Sequence, residues 1–548
     1  MALDQPRGLG ADGFLRGTSL AGLALSRQRQ VGLALLAVIL ASVALPATLA
    51  WATGSLAIPH NDAWSHSKIA MTFARTGDIH LLGWNRTGLL GQVVVLGPLG
   101  GSIVAQQLFV AALACVGLVA TFFFLQPRTG SASAVFGAAV VGVLPEFGLL
   151  ATSYMSDMPA FAAGMVCIAL GDRAVRSHNG RTLTLAVLVG VWGATIREQA
   201  IAAPVVILVT AVLKWRGRHL GPLLLLAAVT VTSFGLFESY RRGLPNGDPP
   251  TFHLSARQGV KTGIYLVLTL SLYIAPAVFL HVRPRTWSRT SCVLASLTLA
   301  LSGLLTVRRH GNVLLGNYLD AHGAYSAAAI GSRNVLPQTV VLVLSLIACA
   351  SLAGLVGLGG SQHVRVGHLE ALFGVTFCMG TLAQAVVGQA VFGRYLLPVV
   401  PIALAVLLPP AGEPSARPFV PGHRVAWALP FVVFAAIAVV SSALWANALS
   451  FDAARWKAAE QLEAHGIPAD RIDAGLEWVG YHARGSAHQG AVEANESFYS
   501  AMFASHTCAI VAASPLANHG NPAATYPYRT YAVFGHSDLD VYLVSTCG

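Results

Sequence analysis

Apolar residues in this chain come in runs of roughly 20, separated by short polar turns. The first run is Val31 to Thr53, centred near Ile39. Later centres fall near Ala112, Gly142, Val166, Val189, Leu208, Val229, Thr269, Leu297, Leu346, Thr381, Leu404 and Val433. The pattern predicts an all-α polytopic bundle of about 13 transmembrane helices. The pair around Asp157 and the pair around Arg197 leave room only for very short outer turns.

Composition agrees with the pattern. Of 548 residues, 55% are hydrophobic and 10% charged, with a mean hydropathy of +0.64. Residues 1-30 are polar and carry Arg7, Arg16, Arg27 and Arg29, and no small-residue cleavage site follows a short apolar core. Val31 to Thr53 is therefore expected to stay as a span behind a cytoplasmic N-terminal segment. The net charge of +11 fits basic cytoplasmic loops rather than nucleic acid. Arg128, Arg173, Arg176 and Arg181 continue the inner bias, which places the tail from about Asn447 outside. Arginine far outnumbers lysine (Lys68, Lys214, Lys261 and Lys457), and Ala and Gly abound, as in a GC-rich bacterium.

Three regions follow: residues 1-30, a bundle over 31-447 with long outer loops at 54-100 and 307-334, and an extracytoplasmic α+β unit over 448-548. The tail opens as a helix from Ala453 to His465 and continues with strand and turn signals. Cys115, Cys167, Cys292, Cys349 and Cys378 lie in apolar runs as small hydrophobes. Cys508 and Cys547 lie in the tail and are natural disulfide partners if it is outside the cytosol. No P-loop pattern occurs, and the inner loops are too short for an ATPase.

The acids are sorted by side. Asp62, Asp78, Glu146, Asp157, Glu198, Glu238, Asp248 and Asp320 fall on or near the outer side; Asp62, Glu146, Asp157, Glu198 and Glu238 sit at or near span ends. Ionisable groups at such depth usually face a cavity, so the outer face is the expected working surface. In the first outer loop a helix from Asp62 to Arg75 puts Ile69 and Phe73 on one apolar face, along the membrane interface. The second loop, with Tyr318, Asp320, Tyr325 and Arg333, has the make-up of a substrate lid.

Asp62 is placed to cap the helix that begins at Ala63 and to act as a base. His66 stands one turn on, on the same face, and His60 just before. An Asp with two His is also a divalent-metal pattern, with Asp62 and His66 as ligands. Asp157, two residues before Pro159, caps a span at the same outer level. Two carboxylates over one cavity either raise one pKa or share a cation. Arg197 beside Glu198 is at its simplest an ion pair, and Arg394-Tyr395 opens a span at Leu396-Leu397-Pro398. Arginine there can fork onto a phosphate.

The segment Asp62 to Asp78, ending Phe73-Ala74-Arg75-Thr76-Gly77-Asp78, resembles the first outer loop of GT-C membrane glycosyltransferases of the protein O-mannosyltransferase and lipid A aminoarabinose transferase branch. Ser153 to Pro159 resembles that branch's second acidic site, and Arg394 to Pro398 its late Arg-Tyr motif. Arg471 to Trp478 is similar to a stretch in bacterial relatives. One departure is Ala63, where the branch often has a second acid. The resemblance implies a multi-pass enzyme of the plasma (inner) membrane. Its donor is a sugar on a polyprenyl phosphate, its acceptor a hydroxyl on a glycan, lipid or protein, and its outcome inversion. In that mechanism Asp62 and Asp157 are the expected catalytic residues and Arg394 and Arg197 the phosphate ligands; His60, His66, Glu198, Tyr318, Arg333 and Tyr395 are further candidate substrate ligands from their places on the outer side. A secondary transporter or flippase is the rival reading, and a non-catalytic assembly factor a third. Transport favours a midplane site and inverted repeats, whereas here the acids crowd the rim.

Overall fold

The computed structural model describes residues 28–82, 90–215, 220–245, 253–282, 285, 287–324, 329–331, 333–359, 366–411, 424–483, 507–516, 519–531 and 535–544. The N-terminal segment up to residue 27, Tyr325 and Cys547 lie outside them.

The first half of the chain gives α1 (Gln28–Thr53), α2 (Ala63–Thr76), α3 (Leu90–Gly101), α4 (Ile103–Thr129), α5 (Ser131–Gly142), α6 (Pro145–Leu150), α7 (Asp157–Ser177), α8 (Gly180–Ile196), α9 (Glu198–Trp215) and α10 (Leu220–Arg242). The second half gives α11 (Ala256–Val278), α12 (Arg289–Arg308), α13 (Gln338–Gly359), α14 (His368–Val386), α15 (Val400–Leu407), α16 (Arg424–Ala464) and α17 (Leu476–His482). Among the described residues ten helices are long and apolar enough to cross a membrane, and α3, α5 and α8 are shorter apolar helices.

Every predicted centre falls in a helix, but three of these helices are shorter than a span, α8 around Val189 among them. Gly142 ends α5, because Pro145 opens a new helix three residues later. Leu404 lies in α15, which has Pro401 in its first turn and Pro409 and Pro410 beyond its end. The apolar helix α3 was expected only as part of a loop.

The last long helix, α16, has 41 residues, about 60 Å of helix. It runs without a break past residue 447 into the tail. Its far end packs on a four-stranded sheet of β1 (Ile472–Asp473), β2 (Ala509–Ala512), β3 (Ala524–Thr530) and β4 (Gly535–Leu543), in the order β1-β2-β4-β3. The β1–β2 pair is parallel and the other two pairs antiparallel. Phe451, Trp456, Leu462, Trp478, Val511, Leu539 and Val541 form this unit's own core, and Ile58 of the first outer loop joins it. Cys508 is disulfide-bonded.

The tail grips the first outer loop. Lys68 of α2 donates to the carbonyls of Gly480 and Ala483, 3.2 Å each. Seven residues of α2, Trp64 and Ile69 among them, are buried. This helix is thus packed between bundle and tail rather than laid on the interface. The second outer loop is anchored as well. Tyr318 is fully buried, Leu315 donates to Thr269 Oγ1 at 2.8 Å, and the carbonyl of Ala321 accepts from Val335 and Leu336. Its described part is a plug in the bundle and not a free lid.

Candidate active site

Asp62 occupies the N-cap position of α2, but its side chain makes no capping bond. Asn61 before it adopts a left-handed conformation (φ 51°), one that Asn tolerates better than most residues. The carboxylate is left facing Arg394, with Oδ2 3.6 Å from Nη2.

Asp157 is the first helical residue of α7, one position past the cap, which is Ser156. There a negative charge suits the amino end of a helix. Its Oδ1 meets Arg197 Nη1 at 2.7 Å and Arg394 Nε at 3.6 Å. Asp62 and Asp157, 95 positions apart in the chain, thus share one cation. Arg197 does not pair with its neighbour Glu198; Glu198 lies 4.0 Å from Arg241.

Arg394 is only 5% exposed. Burial opposes its charge, but Asp157, the tyrosines Tyr318 and Tyr395, and Asp62 outweigh that and hold its pKa well above the ordinary value. Tyr395 also lies under Arg197, whose guanidinium carbon is 4.5 Å from the ring centre, and Phe392 flanks Arg394 at 5.0 Å. Arg394 still has spare capacity. Its Nε and Nη1, and Oδ2 of Asp157, are buried and make no hydrogen bond among the described residues. Leaving such groups unpaired is costly.

Glu146 belongs to this centre and was expected only as one rim acid among several. It accepts from the Tyr273 hydroxyl. Burial pushes its pKa up to about 7, against the lowering effect of Tyr273 and Arg394. The chain passes this pair at Gly393, where an added Cβ would stand 2.6 Å from Glu146 Oε1 and 2.9 Å from the Tyr273 hydroxyl. Only glycine lets Arg394 approach so closely. The sequence carried a faint signal in Glu146 itself, an acid beside Pro145 in an apolar stretch.

The other expected ligands divide. Tyr318 is near, with Arg394 5.9 Å above its ring. His66 contacts the Tyr154 carbonyl through Nδ1 at 3.0 Å, within the fold. His60 is turned away and fully buried. Its Nδ1 meets Asp452 at 2.7 Å and its Nε2 the Ser55 carbonyl at 2.9 Å, so both ring nitrogens are engaged inside the protein. Arg333 is bound to Ser537 of the tail.

One side of Arg394 opens on a cleft enclosing about 490 Å³ of empty space, its mouth included. Asp157, Arg197, Arg394 and Tyr395 form its polar end. Phe161, Met165 and Ile168 of α7, with Phe373 and Phe377 of α14, make its walls. The stretch from Asp157 to Ile168 is about 16 Å of helix, so the cleft is a charged head on an apolar groove. A divalent metal fits this donor set poorly. Arg394 stands where a cation shared by Asp62 and Asp157 would sit, and His66 Nδ1 is taken. Among the described residues no group of three or more His, Cys, Asp or Glu could hold a metal ion.

No protein-family model matches this chain, and no curated protein matches it in sequence. Among solved structures it is similar to ArnT from Cupriavidus metallidurans bound to undecaprenyl phosphate, with a TM-score of 0.38 and 12% identity over 80% of this chain and 74% of that one. The apo state of the same ArnT gives a TM-score of 0.36 and 16% identity over 80% and 84%. Both likenesses are distant, and the chemistry rests on the side chains just described.

Proposed function

We propose that this chain is a membrane glycosyltransferase that moves a sugar from a polyprenyl-phosphate donor to an acceptor hydroxyl at the outer face, with inversion. The observation that carries the reading is Arg394: a buried cation held loosely by two acids, with two nitrogens unbonded, at the charged end of an apolar groove. A guanidinium with open donors suits a phosphate, and the groove suits an isoprenoid chain. Asp62 lies on the far side of Arg394, its side chain 22% exposed, where an acceptor can reach it.

In this mechanism Asp62 takes the proton of the acceptor hydroxyl. The acceptor oxygen bonds to the anomeric carbon as the bond from that carbon to the phosphate oxygen breaks. The electron pair leaves with the phosphate, and Arg394 meets the charge. Arg197, tied to Asp157, supports it. Asp157 holds both guanidiniums and offers Oδ2 as acceptor to a sugar hydroxyl. Inversion follows from a single displacement. The cell membrane, an outward-facing site and an acceptor among glycans, lipids or proteins belong to the same proposal.

The test is transfer by the purified protein in nanodiscs with radiolabelled polyprenyl-phosphate sugars. Wild type should lose label from the lipid to an acceptor. Asp62→Asn should lower turnover by about 10²- to 10⁴-fold, the usual weight of a general base, and still bind donor. Full turnover in that variant would remove Asp62 from the chemistry.

A further inference from the structure

A second recess lies apart from this centre, between α11, the end of α12 and the start of the second outer loop. It is two hollows of about 1340 and 830 Å³ of empty space, open parts included, that share Lys261, Tyr265 and Arg309. Arg257 and Arg308 complete a group of four exposed cations. None of the four makes an ion pair among the described residues, and Lys261 lies 5.6 Å over the Tyr265 ring. His310 and His322 also face the recess, and Asp320, the one carboxylate lining it among the described residues, is engaged by His322 at 3.0 Å.

The walls beside these cations are apolar and bare. Val260, 66% exposed, and Ile264, also exposed, line the recess together with Leu305. The helix α12 has only 17% of its apolar window buried, so this face meets lipid. Four like charges gathered without an ion-pair partner among the described residues repel one another. An anion that brings its own apolar chains resolves both features at once.

We propose that this recess binds the headgroup of an anionic phospholipid. Its phosphate sits among Arg257, Lys261, Arg308 and Arg309, and its acyl chains lie along Val260, Ile264 and Leu305. Basic clusters between spanning helices hold anionic headgroups in this way. The recess backs onto the catalytic centre: Gly316 lines it, and the Gly316 carbonyl accepts from the amide of Gly393 at 3.4 Å. The binding itself needs neither donor nor acceptor.

The experiment is equilibrium binding of radiolabelled phosphatidylglycerol and phosphatidylcholine to the full-length protein in neutral detergent. Wild type should bind phosphatidylglycerol saturably and in preference, and added salt should weaken it. The double variant Arg308→Glu/Arg309→Glu should lose about tenfold or more in affinity, at the weight such basic residues carry near a lipid surface. Arg308→Gln/Arg309→Gln should lose less, and Arg181→Glu, at another helix end, nothing. Asp62→Asn should bind as wild type, so this outcome is independent of the transfer reaction. Equal binding of the two lipids, retention of the preference in the double reversal, or displacement by millimolar inorganic phosphate would each overturn the proposal.

Discussion

Two clusters of buried charge begin two residues apart, at His60 and Asp62, and they are built in opposite ways. In the first, His60, Asp452, Arg455 and Glu477 are all fully buried. His60 meets Asp452 at 2.7 Å, Arg455 meets Asp452 at 2.9 Å, and Arg455 is in contact with Glu477. This quartet ties the first outer loop to α16 and α17. In the second, Arg394 stands 3.6 Å from each of two acids, keeps two nitrogens unbonded and faces a cleft. Tight closure excludes a ligand and fixes the fold; looseness beside a cavity leaves affinity for something else. The quartet holds the position of Asp62, and the Arg394 centre uses it.

The sharpest way to break this contrast is to cut one member of the closed cluster. Asp452→Ala should destabilise the protein by about 3–5 kcal/mol, as loss of one partner of a buried pair does. Thermal unfolding in detergent would show it, and an unchanged Tm would make the quartet an ornament. Arg394→Lys keeps a charge but loses the fork. It should cost about 10- to 100-fold in kcat/KM for the donor and leave Tm and the acceptor KM near wild type. Equal losses for donor and acceptor would turn Arg394 into a structural residue, like Arg455.

Smaller changes probe the joint at Gly393. Gly393→Ala forces a methyl against Glu146 and Tyr273 and should destabilise by about 1–3 kcal/mol, with turnover falling as Arg394 is displaced. Turnover measured on material that remains folded separates the two effects. The smallest effect is one of pH. Glu146 holds its proton in the folded state up to about 7, well above where the unfolded chain releases it. Folded protein therefore binds more protons between the two values, and stability falls as pH rises through about 7. Glu146→Gln should flatten that part of the Tm profile between pH 5 and 8. A profile identical to wild type would mean that Glu146 ionises without cost.

Asp62, Asp157, Arg197, Arg394 and Tyr395 were legible because a charge or its aromatic partner at the end of an apolar run stands out, and the structure brings all five together. The roles were harder to read. His60 lies close to Asp62 in sequence and suggested a substrate ligand, yet its ring points the other way, toward Asp452. Asp452 and Arg455 are spaced i,i+3 on a helix, which from sequence looks like a solvated pair; both are fully buried, and their partners are His60, 392 positions from Asp452, and Glu477, 22 positions past Arg455. Glu146 and Tyr273 are 127 positions apart, and nothing local joins them.

The chain by itself determined that it would be a bundle of apolar helices with acids at the ends of several apolar runs, because spans and their ends are written in consecutive residues and water–lipid partition reads them directly. Only the tertiary structure decided which charges would be closed off and which left open. Pairing depends on distances between helices remote in sequence, and less than an ångström separates a locked ion pair, at 2.7–2.9 Å, from a cation still able to take a phosphate, at 3.6 Å.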